Sequence, residues 1–173
     1  MISKIERGES SPTAVLLGKL SAALELSIAE LLEAAPAAPA GKAASRTASS
    51  GEPDDAVRQA GGVVRRAADT PEWRDPETGY RRRQVSTPGF PAAVAEVLLP
   101  AGARVPYPAG AYAFIAQLVW VLSGQLTLAD GAAVHVLEPG DTFVLGEPRP
   151  REFRNEAAEG CRYLVVVTRT ALP

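Results

Sequence analysis

One cysteine, one histidine and one methionine stand among the 173 residues of this chain, and each scarcity closes off a class of chemistry. With Cys161 alone there is no internal disulfide and no thiolate cluster, which fits a reducing compartment. With His135 alone there is no cluster of imidazoles, and a lone histidine is more often a half-buried structural residue than a ligand. No apolar run approaches the roughly 18 residues of a membrane span, and Met1-Ile2-Ser3-Lys4 is not followed by the apolar stretch of a secretion signal, so a cytoplasmic location is expected. Lysine is scarce as well, three residues against fifteen arginines. Acids offset these bases, the net charge is -2, and charge leaves no footprint for nucleic acid. What remains, 46% hydrophobic and 22% charged, is ordinary globular composition, enough for one good core and a fragment of another.

Ile2 and Ile5 have helical spacing, and Arg7-Gly8-Glu9 then stops the pattern. Ser11 and Pro12 suit the N-cap and first position of a following helix. Residues 12–34 read as a helical hairpin: Val15, Leu16, Leu20, Ala23 and Leu24 make one greasy side, and Ser27 caps a second segment with Ile28, Leu31 and Leu32. Residues 35–60, rich in Ala, Pro, Ser and Gly, read as a flexible linker, too poor in large apolar groups to offset ordering entropy. Its reach, on the order of 25 to 30 Å, means that the flanking parts need not touch. Residues 61–173 form the second domain. Short β-type segments recur there every 8 to 12 positions: Val63 to Arg66, Tyr80 to Val85, Ala93 to Leu99, Phe114 to Leu122, Gln125 to Leu128, Ala133 to Leu137, Thr142 to Leu145 and Arg162 to Thr168. Turns fall at residues 75–79, 129–131 and 138–141. The pattern predicts a mainly β chain, with many short antiparallel strands closing a barrel or a two-sheet sandwich.

The stretches "PAGARVPYP", "QLVWVLSGQLTL" and "VHVLEPGDTFVLGEPRPREFRN" are similar to the two sequence motifs of the cupin family, small double-stranded β-helix or jelly-roll barrels. The resemblance covers most of residues 90–168. It places the family's glutamate slot at Gln117, seven before Gly124, its two histidine slots near Pro108 and Gly110, and its last histidine slot at Arg151, four before Asn155. Every metal-ligand slot is substituted. Iron, manganese or nickel would need two or three imidazoles and a carboxylate, so no metal, no other cofactor and no catalytic residue is expected. Cys161 has no second histidine to activate it and reads as a small buried thiol.

A barrel without a metal still binds. If Gln117 points inward, period 2 puts Ile115, Val119 and Val121 on the same inner face, with Phe114, Leu118 and Trp120 outside. Tyr107, Gln117, Val119, Arg151 and Phe153 are the expected effector-binding residues, Arg151 offering a fork for a carboxylate or phosphate. The apolar outer face predicts a homodimer. In Arg81-Arg82-Arg83 the outer two arginines face one way and Arg82 the other, and Glu72, Asp75 and Glu77 are near enough in sequence to neutralise a solvated strand.

"ISKIERGESSPTAVLLGKLSAALELSIAELL" closely resembles the second half of the phage-repressor-like helix-turn-helix domain (xenobiotic-response-element type) of bacterial transcription regulators. The resemblance makes residues 1–34 the end of the recognition helix and the two helices after it, with Ser3, Lys4 and Arg7 on the DNA side. The first two helices of the domain are missing, and a remnant below about 40 residues should not hold a fold alone. Met1 is the chain's single methionine, so a reading frame begun at an internal methionine is the expected explanation. The resulting expectation is a transcriptional regulator, not an enzyme, that binds DNA if the full helix-turn-helix domain is present and in which a metal-free barrel binds a small effector and dimerises. Its rivals are a small isomerase- or epimerase-type cupin enzyme using Tyr107, Tyr112 or Tyr163, and a bare dimerisation module.

Overall fold

The computed structural model describes residues 11–24, 26–34, 62, 64–87 and 89–170. Ser3, Lys4, Arg7 and the expected linker lie outside them.

Two helices come first, α1 (Ala14–Leu24) and α2 (Ile28–Ala34). Helix α1 starts later than Ser11 and Pro12 foretold, because Thr13 takes the capping role: its Oγ1 accepts the Leu16 N–H at 3.3 Å and its carbonyl accepts that of Leu17 at 2.9 Å. Ser27 caps α2 as expected and does so reciprocally. Ser27 N–H donates to Glu30 Oε2 at 2.7 Å while Glu30 N–H donates to Ser27 Oγ at 3.3 Å, closing a capping box.

The buried stripe of α1 is Ala14, Leu17, Gly18 and Ser21, not the greasier side read from the sequence. Small residues win because the helix must come close. A Cβ on Gly18 would stand 2.6 Å from Tyr107 Cδ1, and one on Gly110 would stand 2.8 Å from Ala22 Cβ. The helix pair therefore lies against the barrel.

The barrel is two facing sheets of ten strands: β1 (Glu72–Arg74), β2 (Arg81–Gln84), β3 (Ala93–Leu99), β4 (Arg104–Tyr107), β5 (Ile115–Ser123), β6 (Leu126–Asp130), β7 (Ala133–Leu137), β8 (Thr142–Val144), β9 (Arg151–Arg154) and β10 (Cys161–Arg169). One sheet has the order β1-β2-β3-β10-β5-β8 and the other β4-β9-β6-β7, all pairs antiparallel. This is the expected jelly-roll topology. The long strands with clean alternation fall where the sequence placed them. The expected strand at Val63 to Arg66 does not form over its described residues; a 3-10 turn follows at Ala67–Asp69. Strands β1, β4 and β9 were not foreseen. Strand β4 holds Pro106, which has no N–H for a ladder, and it is tolerated because β4 is a sheet edge paired only with β9.

Between the sheets, Val97, Leu99, Val105, Val119, Val121, Leu126, Leu128, Phe153 and Tyr163 make a continuous core. Gly124, at the turn between β5 and β6, has φ +74°, and a Cβ there would stand 2.6 Å from the Gly160 carbonyl oxygen, so no other residue fits.

Candidate functional site

The core is not filled to the end of the barrel beneath the helices. There Arg82 of β2, Tyr107 of β4, Gln117 of β5, Phe153 of β9 and Tyr163 of β10 surround a cavity, with Tyr80, Ala111 and Tyr112 at its sides. Ser27, Ile28 and Ala29, where α1 gives way to α2, complete the wall. The cavity volume is about 40 Å³, several times the roughly 10–15 Å³ that one water needs. Aromatic rings fix its shape: Tyr107 meets Phe153 edge-on at 5.9 Å between centroids, and Phe153 stacks on Tyr163 at 5.9 Å. Ile115, Val165 and Val167 supply the apolar remainder.

Of the five residues expected to meet an effector, Tyr107, Gln117 and Phe153 are walls of this cavity. Val119 sits on the same inner face but deeper, wholly buried in the core. Arg151 is buried yet is not a wall. Its Nε lies 2.8 Å from Asp130 Oδ1, its Nη2 donates to the Glu147 carbonyl at 2.9 Å, and its guanidinium carbon rests 4.7 Å from the centre of the Tyr112 ring. The β6–β9 pairing sets Asp130 opposite Arg151. Asp130 and the Glu147 carbonyl thus hold part of this fork, while its Nη1 is buried without a hydrogen-bond partner.

Arg82 is the residue the sequence reading passed over. Alternation was read correctly: Arg81 pairs with Glu72 at 3.5 Å and Arg83 with Glu96, both on the outer face. Asp75, expected among their counter-ions, instead accepts the Glu77 N–H and the Thr78 hydroxyl inside its own turn. Arg82, turned the other way, is almost hidden from solvent. It is 6% exposed, and its Nε is buried without a partner. The signal available in the sequence was that three consecutive strand residues cannot all share the wet face.

Burial pushes the phenols of Tyr107, Tyr112 and Tyr163 well above the ordinary tyrosine value. All three phenols stay protonated near neutral pH. Burial likewise pushes the Cys161 thiol up to about 11, so the sulfur is a core group rather than a nucleophile. His135 lies half-buried at the barrel's edge with its ring 4.8 Å from that of Phe143, away from the cavity. The cavity's polar walls are phenols, an amide, a guanidinium and Ser27, a donor set that does not fit a transition metal. Among the described residues no three His, Cys, Asp or Glu side chains gather.

The outer face of the larger sheet carries an apolar row. Val94, Val166, Leu118 and Val144 stand opposite one another across β3, β10, β5 and β8, with Leu164 and Trp120 beside them. Val144 is 67% and Trp120 44% exposed. Phe114, expected on this face, precedes β5 and sits near Ser21 and Leu26 of the helix pair instead.

No family description matches the chain, and no curated protein does. Solved structures do. A transcriptional regulator of the HTH_3 family from Vibrio cholerae superposes with a TM-score of 0.65 at 17% identity, over 99% of this chain and 80% of its own. A predicted oxalate decarboxylase from Thermotoga maritima matches with a TM-score of 0.54 at 14% identity, over 62% and 100%. The cupin domain of Cnp3 from Schizosaccharomyces pombe matches with a TM-score of 0.52 at 14% identity, over 62% and 74%. The fold is therefore a cupin jelly roll preceded by two short helices. The arrangement is similar, through helices and barrel alike, to that of a helix-turn-helix transcriptional regulator. Among the described residues no helix is long and apolar enough to cross a membrane.

Proposed function

We propose that the chain is a DNA-binding transcriptional regulator whose barrel senses a small molecule and whose helix pair reports on it. One observation carries this reading: the cavity wall is built jointly by the barrel and by Ser27, Ile28 and Ala29 of the helix pair. Whatever fills the cavity touches both parts, so its binding free energy depends on how the helices sit, and linkage makes helix position depend on occupancy. The likeness to the Vibrio cholerae regulator across 99% of the chain supports the same design. Residues 1–34 belong in this reading to the DNA-binding part, with Ser3, Lys4 and Arg7 toward the phosphates, 35–60 to a linker and 61–173 to the sensor. A second copy covers the apolar row on the larger sheet, giving a cytoplasmic homodimer. No acid–base chemistry is assigned to the cavity, because its phenols are held neutral and no imidazole or carboxylate among the described residues lines it.

Gel retardation of DNA flanking the chain's own coding sequence tests the assignment. A retarded band that weakens in Lys4→Ala and Arg7→Ala and shows a shallower salt dependence supports it. No retardation at low salt removes DNA binding and leaves a dimerisation module. Light scattering tests the pairing: a dimer at micromolar concentration that becomes a monomer in Trp120→Glu is expected, and a monomeric native chain overturns it.

A further inference from the structure

Arg82 carries a charge that its surroundings leave unanswered. It stands at the middle of β2, opposite Trp73 of β1 and Val97 of β3, and so faces the barrel interior, where it forms part of the cavity wall. Its Nε has no hydrogen-bond partner, and among the described residues no carboxylate lies within ion-pair distance. Acids are not in short supply, since Arg81 and Arg83 on either side each find a glutamate. The phenols of Tyr107 and Tyr163 feel the charge of Arg82, but burial keeps both neutral and neither serves as a counter-ion. A buried, unpaired cation is costly and is kept where something else completes it.

The geometry points to a small monocarboxylate as the cavity's ligand, its two oxygens on the Arg82 guanidinium and its short apolar tail among Ile28, Ile115, Val165 and Val167. The inference rests on reading the barrel as a ligand-binding domain. A planar guanidinium matches a carboxylate through two parallel hydrogen bonds. One negative charge balances one positive charge, whereas a dianionic phosphate would leave a net charge in a low-dielectric site. The remaining walls offer an amide at Gln117 and an unpartnered hydroxyl at Tyr112, groups that can orient a ligand without adding charge. The small volume limits the tail to a few carbons.

Thermal unfolding of the full 173-residue chain decides the matter, using sodium salts from acetate to hexanoate, the corresponding uncharged amides, and inorganic phosphate, all at matched ionic strength. One or two chain lengths should raise the midpoint by about 5–10 °C at a hundred times Kd, and their amides should not. In Arg82→Met the carboxylate shift should vanish while the ligand-free midpoint stays level or rises, because an unpaired buried charge has been removed. Arg82→Lys keeps the charge without the fork and should weaken binding about tenfold. Amides that stabilise as well as acids, or a carboxylate shift that survives in Arg82→Met, would overturn the charge assignment while leaving a ligand-binding barrel intact. Stabilisation by phosphate alone would overturn the carboxylate class. If no compound in the three series moves the native midpoint, or if Arg82→Met loses 10 °C or more without ligand, the inference fails outright. Neither of those two results bears on the gel-retardation test of DNA binding.

Discussion

Arg82 and Arg151 hang from opposite sheets of the same barrel, both all but hidden from solvent and both near tyrosine rings, yet their surroundings treat them differently. Arg151 has a carboxylate at 2.8 Å, backbone carbonyls of the 146–147 turn at 3.4 and 2.9 Å, and an aromatic face beneath it. Arg82 has a void. A cation that the chain itself neutralises is part of the scaffold, and one facing an unfilled cavity is part of a recognition surface. Burial alone does not separate the two, and neither does residue type. What separates them is which strand is paired alongside: β6 brings Asp130 to Arg151, whereas β1 and β3 bring Trp73 and Val97 to Arg82.

Truncating Arg151 is the largest test of that contrast. Arg151→Met leaves Asp130 without its cation and strips donors from the 146–147 turn. The expected loss is about 3–5 kcal/mol, toward the lower figure because Asp130 keeps some solvent contact. For a chain of this size the unfolding midpoint falls by roughly 6–20 °C, while Arg82→Met moves little or upward. Calorimetry on both variants reads the difference directly. Equal losses would erase the distinction between scaffold and recognition arginine, and the double variant Arg151→Met/Asp130→Leu should recover part of the loss if the pair is the reason for it.

That distinction also marks where the sequence could be read and where it could not. Strands β3, β5 and β10 announce themselves through alternation, and the inward set of β5 (Gln117, Val119, Val121) follows from period 2 alone. The Ser27–Glu30 capping box is local and was half visible as a cap. Asp130 and Arg151 are 21 positions apart and meet only through a strand pairing, so a slot analogy placed Arg151 without the carboxylate that stands beside it. Arg82 failed for a related reason. Its alternation was legible, but which face of β2 is wet depends on β2 lying beside β3 with Arg82 opposite Val97, and that register is tertiary. The helix pair misled in another way: propensity favoured a Leu-rich contact face, and the barrel instead took the small-residue face that let α1 approach Tyr107.

Gly18 offers an intermediate effect that acts on one side of the comparison only. A valine there drives its side chain into Tyr107, a wall of the Arg82 cavity, and leaves the Arg151–Asp130 pair untouched. Overpacking of this kind costs about 1–3 kcal/mol, so Gly18→Val should lower the midpoint by several degrees. It should also change the cavity's ligand response, since Tyr107 has to move or the helix has to lift. A variant that loses stability but keeps an unchanged ligand response would mean that helix and cavity are not coupled.

The smallest effect belongs to a third arginine, the exposed one. Arg169 reaches from the end of β10 to Glu30 of α2, with Nη2 and Nε 2.5 and 3.0 Å from Oε1, so the pair ties the helices to the barrel in open water. Burial alone would raise the Glu30 carboxyl, but the Ser27 N–H and Arg169 outweigh it and hold it below the usual 4.5. A carboxyl whose folded value is depressed stabilises above its unfolded value and loses that contribution as pH falls through the folded one. Glu30→Gln removes the charge while keeping a capping-box acceptor, and should cost about 0.3–1 kcal/mol at pH 7 and low salt. The gap between variant and native chain should close as pH drops below about 4.5, and near 1 M salt at neutral pH, where screening shortens the reach of surface charges. A gap that persists at pH 3 would show that the side chain's contribution is packing, not charge, and would place Arg169 with neither of the two buried arginines.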